Sequence, residues 1–311
     1  MRKTFIINLV SNEPFIQKNH QVVQLVQQIL GIIKQQRPEV LEQQMVWTMP
    51  HLPFPFEVKY NEDAIAFVDD YIANEKADLY GIQDWNIVRK GRKGIEPFMN
   101  IRIQCAHLWQ THEYKYSVSM KFHHEIARLL LAEHLADYIE KIAQTISADI
   151  GRIDYTDYYY GGGLTYTESM CIGPQREFPD DYDLTGLIPG VFWWTLLTER
   201  HLERLGGIDY VKRTAPCYEA RDISIGQYQA LALQLSPNPL TVEEEEYAAL
   251  RLYLRPILPR VNPYALAFQL KRKVIPLSRI CQLVTEDELK KAEPLTTLSF
   301  NELRDNARKS I

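Results

Sequence analysis

Segments with the two-residue hydrophobic period of a β-strand alternate along this chain with segments that have the period of a helix. The run at 3–10, KTFIINLV, is rich in β-branched and aromatic residues and predicts a strand. In the run at 20–36 the apolar residues recur at helical spacing with glutamine on the opposite face, and Pro38 follows. The chain therefore starts as a strand followed by an amphipathic helix.

The rest of the first half completes a β-α-β-β-α order. Residues 45–97 are less regular and are interpreted as an insertion, in which Asn61 opens a short helix. Residues 98–109 and 112–123 alternate apolar and polar side chains, which predicts two strands joined by a short turn. Residues 124–150 predict one long amphipathic helix.

The second half shows the same order of elements. Residues 187–197 predict a strand, and Thr198 is the expected N-cap of a short helix that two glycines close. Two strands are expected around Gly226. A further helix is expected to begin at Thr241, with Glu244 completing a capping box.

We therefore predict an α/β (α+β) fold with two similarly ordered β-α-β-β-α halves, antiparallel-rich sheets and a C-terminal tail of short helices. The tail is expected to contain a basic strand at QLKRK and two helices that open with the capping boxes TEDE and SFNE. The halves are expected to pack as one compact unit. The predicted boundaries are 1–150 for the first half, 151–186 for a connecting segment, 187–259 for the second half and 260–311 for the tail.

The composition is that of an ordinary folded chain, with 46% hydrophobic and 24% charged residues among 311. A net charge of −5 disfavours nucleic acid as a partner, since proteins that bind it are normally basic. No stretch approaches 18 apolar residues, and the first apolar run is too short for a signal peptide, so no membrane partner is expected. The four cysteines form no CxxC pair and are expected to be reduced. These features predict a cytoplasmic protein.

No motif in the sequence predicts an enzyme. His123 and His124 precede Glu125, but the i, i+4 histidine spacing of a helical zinc site is absent. The glycines at 161–163 lack the lysine and the spacing of a phosphate-binding loop. We therefore expect no catalytic residue, no metal and no cofactor. The alternative is a hydrolase with an unrecognised site near His123 and His124.

Acidic residues are concentrated in one part of the chain. Residues 154–183 contain seven acids and one base, a net charge of −6, against −5 for the whole chain. The same stretch contains six tyrosines and a phenylalanine. Tyrosine is enriched at the energetic centres of interfaces, and an acidic patch steers a basic partner. These features favour an interaction surface, with a solvated loop as the competing interpretation.

We predict that this acidic-aromatic segment contacts a protein partner. Each ring would be buried against the partner, and each carboxylate would pair with an arginine or lysine. The predicted contact residues are Asp157, Tyr158, Tyr159, Tyr160, Glu177, Asp180, Asp181, Tyr182 and Asp183.

The stretch GLIPGVFWWTLLTERHLERLGG at 186–207, followed by APCYEARDI and LALQLSPNP, resembles the bacterial type VI secretion immunity proteins and the related polymorphic-toxin immunity proteins. Proteins of this kind have an I-P-G-x-x-W string, a short helix that ends in glycine, and a strand followed by two prolines. The matching residues are Ile188, Pro189, Gly190, Trp193, Gly206, Leu233, Pro237 and Pro239.

This resemblance implies a non-enzymatic α/β protein that binds and neutralises a cognate antibacterial toxin, a nuclease in some pairs. The acidic-aromatic segment adds the expectation that the toxin presents a basic surface. A homodimer is compatible with the sequence. Besides the hydrolase, a structural subunit of a secretion or phage assembly is an alternative.

Overall fold

The computed structural model describes residues 4–50, 57–74, 77–84, 98–105, 116–156, 186–188, 190–258, 261–273 and 284–309. The chain divides into two compact units. The first unit comprises residues 1–157 and 222–230, and the second comprises 158–221 and 231–311. The domain boundaries expected from the sequence stay a prediction.

The first unit contains a twisted antiparallel sheet in the strand order β3-β2-β4-β5-β6-β1-β7. Direct antiparallel pairing links each neighbouring pair of these strands. The strands are β1 (Thr4–Ser11), β2 (Gln44–Pro50), β3 (Glu57–Lys59), β4 (Ala77–Asp84), β5 (Met99–Gln104), β6 (Tyr116–His123) and β7 (Ile150–Thr156).

Helices α1 (Asn19–Gln36), α2 (Pro38–Glu42), α3 (Glu62–Ala73), α4 (His124–Ala132) and α5 (Leu135–Ile146) accompany this sheet. Their apolar stripes are buried, as in α1, where Val22, Val26, Ile29 and Ile33 have almost no exposed surface. The sheet supplies the matching apolar face, because successive strand residues point to opposite sides. The core thus lies between the helices and one face of the sheet, which leaves a second sheet face of different composition.

Two parts of the first half differ from the prediction. The stretch at 45–97 contributes β2, β3, α3 and β4, so it supplies much of the sheet. The long helix expected at 124–150 is two helices, separated at His134, whose φ of 57° is left-handed. Leu130 and Leu135 are both buried. Five residues apart, they would point about 140° away from each other on one straight helix. The break turns the second apolar stripe back to the core.

In the second unit β8 (Trp194–Leu197) pairs antiparallel with Leu231–Gln234. These residues belong to β10 (Tyr228–Gln234), whose neighbour is β9 (Glu219–Ile225). The helices of this half are α6 (Glu199–Arg204), α7 (Ile208–Thr214) and α8 (Glu244–Tyr253). The mixed α/β class, the antiparallel pairing and the strand-helix-hairpin-helix order expected for this half are confirmed, with α7 as an additional helix before the hairpin.

Two local predictions in this half need correction. The strand expected at 187–197 is only four residues long, because the Phe192 amide bonds to the Thr195 side chain instead of a neighbouring strand. The N-cap of α8 is Glu243, and its capping box closes on Glu246 and not on Glu244. Thr241 instead donates its hydroxyl to the carbonyl of Asn238, so it belongs to the preceding turn.

The tail is helical throughout its described part. The QLKRK residues expected to form a strand lie at the end of α9 (Pro263–Arg272), which Asn262 caps by accepting from two backbone amides. Helices α10 (Glu286–Ala292) and α11 (Phe300–Lys309) begin at the two predicted capping boxes. A separate hydrophobic cluster holds them together, formed by Val261, Leu266, Ala267, Val284, Ala292 and Leu303.

Candidate functional site

The nine contact residues predicted from the sequence all lie outside the described residues. They are Asp157, Tyr158, Tyr159, Tyr160, Glu177, Asp180, Asp181, Tyr182 and Asp183. Their assignment to a partner surface stays a prediction, and the described residues on either side show how the segment is attached.

The N-terminal end of the acidic-aromatic segment belongs to the sheet. Asp154 and Tyr155 lie in β7, where they pair with Ile6 and Phe5 of β1. The Tyr155 ring meets Phe5 edge-on with 5.1 Å between centroids, and burial raises the pKa of its hydroxyl to about 12. Both residues are buried. They are therefore part of the folded framework and not part of an exposed linker.

The other end of the segment is fixed within the second unit. The Arg204 guanidinium donates to the Gly186 carbonyl over 2.7 Å, and the Ile188 amide donates to the Ile257 carbonyl over 2.9 Å. Ile188 itself is almost fully buried. Two hydrogen bonds thus fix the chain at Gly186 and Ile188, where the structure is described again.

The residues that carry the family resemblance are mainly structural. Trp193 and its neighbour Trp194 are both buried, so both sides of the chain are covered there. The Trp193 indole donates to the Ser236 carbonyl over 2.8 Å, which fixes the turn that contains Pro237. Gly206 has a φ of 98°, a left-handed conformation that favours glycine and ends α6. This motif therefore specifies a local fold.

A row of polar and charged residues crosses the sheet face of the first unit that carries Lys121 and Arg152. Strand pairing aligns the row directly, because residues paired across antiparallel strands share a face. The row, from β7 to β2, is Arg152, Asn8, Ser119, Arg102, Gly81 and Trp47. The next row on the same face contains Asp154, Ile6, Lys121 and Asn100. We call these residues the outer sheet face.

Three cations of the outer sheet face influence one another. Lys121 is 9% exposed and Arg152 4% exposed, although both are long and charged. The pKa of Lys121 is lowered to about 8, mainly by burial and to a smaller extent by the positive charges of Arg152 and Arg102. The sequence could not show this cluster, because its members come from three strands and meet only through the pairing register.

The end of β6 brings together three groups that can bind metals. Ligand atoms of His123, His124 and Glu125 lie within 4.8 Å of one another, and the two imidazole rings are 4.1 Å apart. The donor types suit zinc. The surroundings oppose a cation, because the site lies at the N-terminus of α4 and Arg37 approaches Glu125 at 3.4 Å. Both features add positive potential at the three groups and so weaken the binding of a cation there.

Another histidine, His20, forms a pair with a carboxylate. Nδ1 of His20 contacts Asp69, and the amide of Asn19 donates to the other oxygen of Asp69 over 2.9 Å. The remaining nitrogen of His20 contacts the Gln24 amide at 2.8 Å. A hydrolytic triad would place a hydroxyl or thiol at that position. The arrangement instead ties the start of α1 to α3.

The described residues contain no helix with the length and apolar character needed to cross a membrane.

The chain matches no family model and no curated protein. Its fold is similar to a solved structure described as Pseudomonas aeruginosa T6SS protein PA0821, with 11% sequence identity and a TM-score of 0.55. The similarity covers 83% of this chain and 73% of that one, so both units follow a fold that has been observed elsewhere.

Proposed function

We propose that this protein has a role in type VI secretion as an immunity protein, which binds and neutralises a cognate toxin in the cytoplasm. The similarity to a T6SS protein over 83% of the chain is the observation that carries the proposal. The resemblance of residues 186–239 to immunity proteins supports the same role, and three of the matching residues, Ile188, Trp193 and Leu233, are buried. Neutralisation requires binding alone, so no catalytic group is needed.

The acidic-aromatic segment gives this proposal a binding mode. Its acidic residues would attract a basic toxin over a distance of about one Debye length and would set the orientation of the encounter. Its tyrosines would then be buried in the complex and supply most of the affinity. A nuclease has a basic surface because its substrate is a polyanion, and it therefore suits such a partner.

Coexpression with the product of the neighbouring gene tests the proposal. The two chains should copurify in a one-to-one complex, and the protein should restore growth of cells that produce this gene product. Failure of both copurification and growth rescue would exclude the role. Growth rescue without a complex would indicate an enzyme or an indirect effect.

Charge reversal tests the binding mode separately. Replacing Asp180 and Asp181 by lysine should slow association about tenfold at low salt, and the difference should shrink at high salt. The control is the double variant Glu203→Lys and Asp305→Lys, which changes the net charge equally at two exposed helical positions. Equal association rates for the two double variants would show that the segment does not steer the partner.

The enzyme alternative makes a different prediction. If the protein acted as a hydrolase through His123 and His124, alanine at both positions would abolish protection. Under the immunity proposal this double variant should still protect, provided that its unfolding temperature stays near that of the parent. Protection assays and thermal unfolding on the same preparations distinguish the two.

A further inference from the structure

The outer side of helix α3 combines exposed aromatic and acidic side chains. Asp63, Phe67, Asp70 and Asn74 follow the helical spacing i, i+4, i+7 and i+11, so they lie on one side. All four are exposed, and Phe67 is 52% exposed, which is unusual for a large apolar residue. Tyr71 stacks against it with 6.0 Å between ring centroids and 17° between planes.

The charge of this helix has one sign. From Asn61 to Asn74 the chain contains four carboxylates and no lysine or arginine. Glu62 pairs with Lys34 over 2.6 Å, and Asp69 is buried against Asn19 and His20. Among the residues that the structure describes, neither Asp63 nor Asp70 forms an ion pair. These two carboxylates lie on either side of the Phe67 ring along the helix.

The helix is held firmly beneath this surface. The Asn61 side chain accepts from the Ala64 amide and caps the first turn. Ile65, Val68 and Ile72 are fully buried on the inner side. The contacts of Asp69 add a polar attachment to α1. The backbone that carries the two rings is therefore fixed before any partner arrives, which reduces the entropy lost on binding.

We propose that Asp63, Phe67, Asp70 and Tyr71 form a second contact surface, which binds an arginine-rich segment of the toxin. This inference rests on the proposed function and extends it to a described part of the fold. A guanidinium group can stack on an aromatic ring while its N–H groups bond to a carboxylate, and a lysine ammonium lacks the planar shape for both contacts. The aromatic pair with a carboxylate on either side matches that combination.

The test uses the full-length protein and the toxin encoded by the neighbouring gene. Calorimetry should show that Phe67→Ala weakens the complex about tenfold, as expected for truncation of a buried aromatic contact. Asp70→Lys should weaken it by a similar factor, with a larger effect at low salt. The matched control is Tyr228→Ala, which removes a 62% exposed aromatic residue from the same unit and should leave affinity unchanged.

The outcomes separate this inference from the proposed function. If the parent protein binds the toxin and Phe67→Ala binds equally well, the α3 surface is excluded while the immunity role stands. If the parent does not bind the toxin, the immunity role fails. The surface is then tested with a nine-residue polyarginine peptide, whose binding must be lost in Phe67→Ala and kept in Tyr228→Ala.

Two further results would overturn the inference. Concentration-dependent dimers of the parent that disappear in Phe67→Ala would identify a second copy of the chain as the occupant. Equal affinity of the parent for polyarginine and polylysine peptides of the same length would show that charge alone is recognised. Thermal unfolding of each variant is measured as a control, and the unfolding temperatures should equal that of the parent protein.

Discussion

The outer sheet face carries buried positive charges, whereas the outer side of α3 carries exposed negative charges. On the sheet, Lys121 and Arg152 are buried, and the pKa of Lys121 falls to about 8. On α3, Asp63 and Asp70 are exposed beside an aromatic pair in which Phe67 is exposed and Tyr71 half-buried. A buried charge loses hydration and therefore affects folding, whereas an exposed charge keeps its hydration and can take part in recognition. Mutations on the sheet face should therefore change the free energy of unfolding, whereas mutations on the outer side of α3 should change the affinity for a partner.

The largest stability loss is expected on the outer sheet face at Gly81. A methyl group there would lie 2.5 Å from the Ile101 carbonyl oxygen and 2.7 Å from the Trp47 indole. Gly81→Ala should therefore lower the free energy of unfolding by about 3 kcal/mol, the upper end for an overpacked site. Urea denaturation measures this change.

The control for this substitution is Gly31→Ala in α1, where an added methyl group has no neighbour within 4 Å. Alanine is the better helix former, so the control should raise the free energy of unfolding by about 0.5–1 kcal/mol. Equal effects of the two substitutions would mean that the sheet face is not closely packed around Trp47.

Replacing the cation at the centre of the outer sheet face should increase stability. The folded-state pKa of Lys121, about 8, lies below the unfolded value of 10.5. The folded protein is therefore penalised when Lys121 is protonated, by about 3 kcal/mol at neutral pH. Lys121→Met removes the charge and keeps most of the volume, so it should stabilise the fold by about 2 kcal/mol at pH 7.

The pH dependence gives an independent check of this effect. Below pH 8 both the folded and the unfolded state bind the proton, and the penalty is complete. Between pH 8 and 10.5 only the unfolded state keeps it, so the stability of the parent protein rises. Tyrosines and Cys217 also begin to ionise in this window, so the effect of Lys121 is the difference between two pH profiles. From pH 7 to 9.5 the stability of the parent should rise by about 2 kcal/mol relative to that of Lys121→Met. A parallel pH profile in both proteins would contradict the lowered pKa.

A smaller loss is expected beneath the α3 surface. Asp69→Ala removes the acceptor of the Asn19 amide, and Asn19 is itself buried. An unpaired buried donor costs about 1–3 kcal/mol, so urea denaturation should show a loss in that range. Asp69→Asn keeps an acceptor and should lose less. If both variants matched the parent, the polar attachment of α3 to α1 would be unimportant.

Local signals in the sequence predicted most of the helix starts, with Thr241 as the exception. Asn61, Thr198 and the box at Thr285 and Glu288 all act as caps in the structure. These signals involve residues within one turn and do not depend on the tertiary fold. The break at His134 was missed because the sequence on either side has helical periodicity, and only the packing of two separate stripes requires the left-handed residue.

The candidate surfaces needed information that only the structure supplies. The outer sheet face depends on pairing between strands that are far apart in sequence, such as Asn8 with Arg152. The acidic-aromatic segment was identified by local composition, and its first residues, Asp154 and Tyr155, proved to be a buried part of β7. Composition could locate the negative charge, whereas the register decided which residues are buried.

The smallest stability change is expected on the outer side of α3, where Asp70→Lys should alter the free energy of unfolding by less than about 0.5 kcal/mol. Asp70 is exposed and lies in the last turn, where the helix dipole favours a positive charge. If the proposed α3 contact surface exists, the same substitution should weaken binding of the proposed toxin. Urea denaturation and calorimetry on one preparation test both effects. A loss of stability as large as that of Asp69→Ala would show that Asp70 supports the fold, and the contrast with the sheet face would then fail.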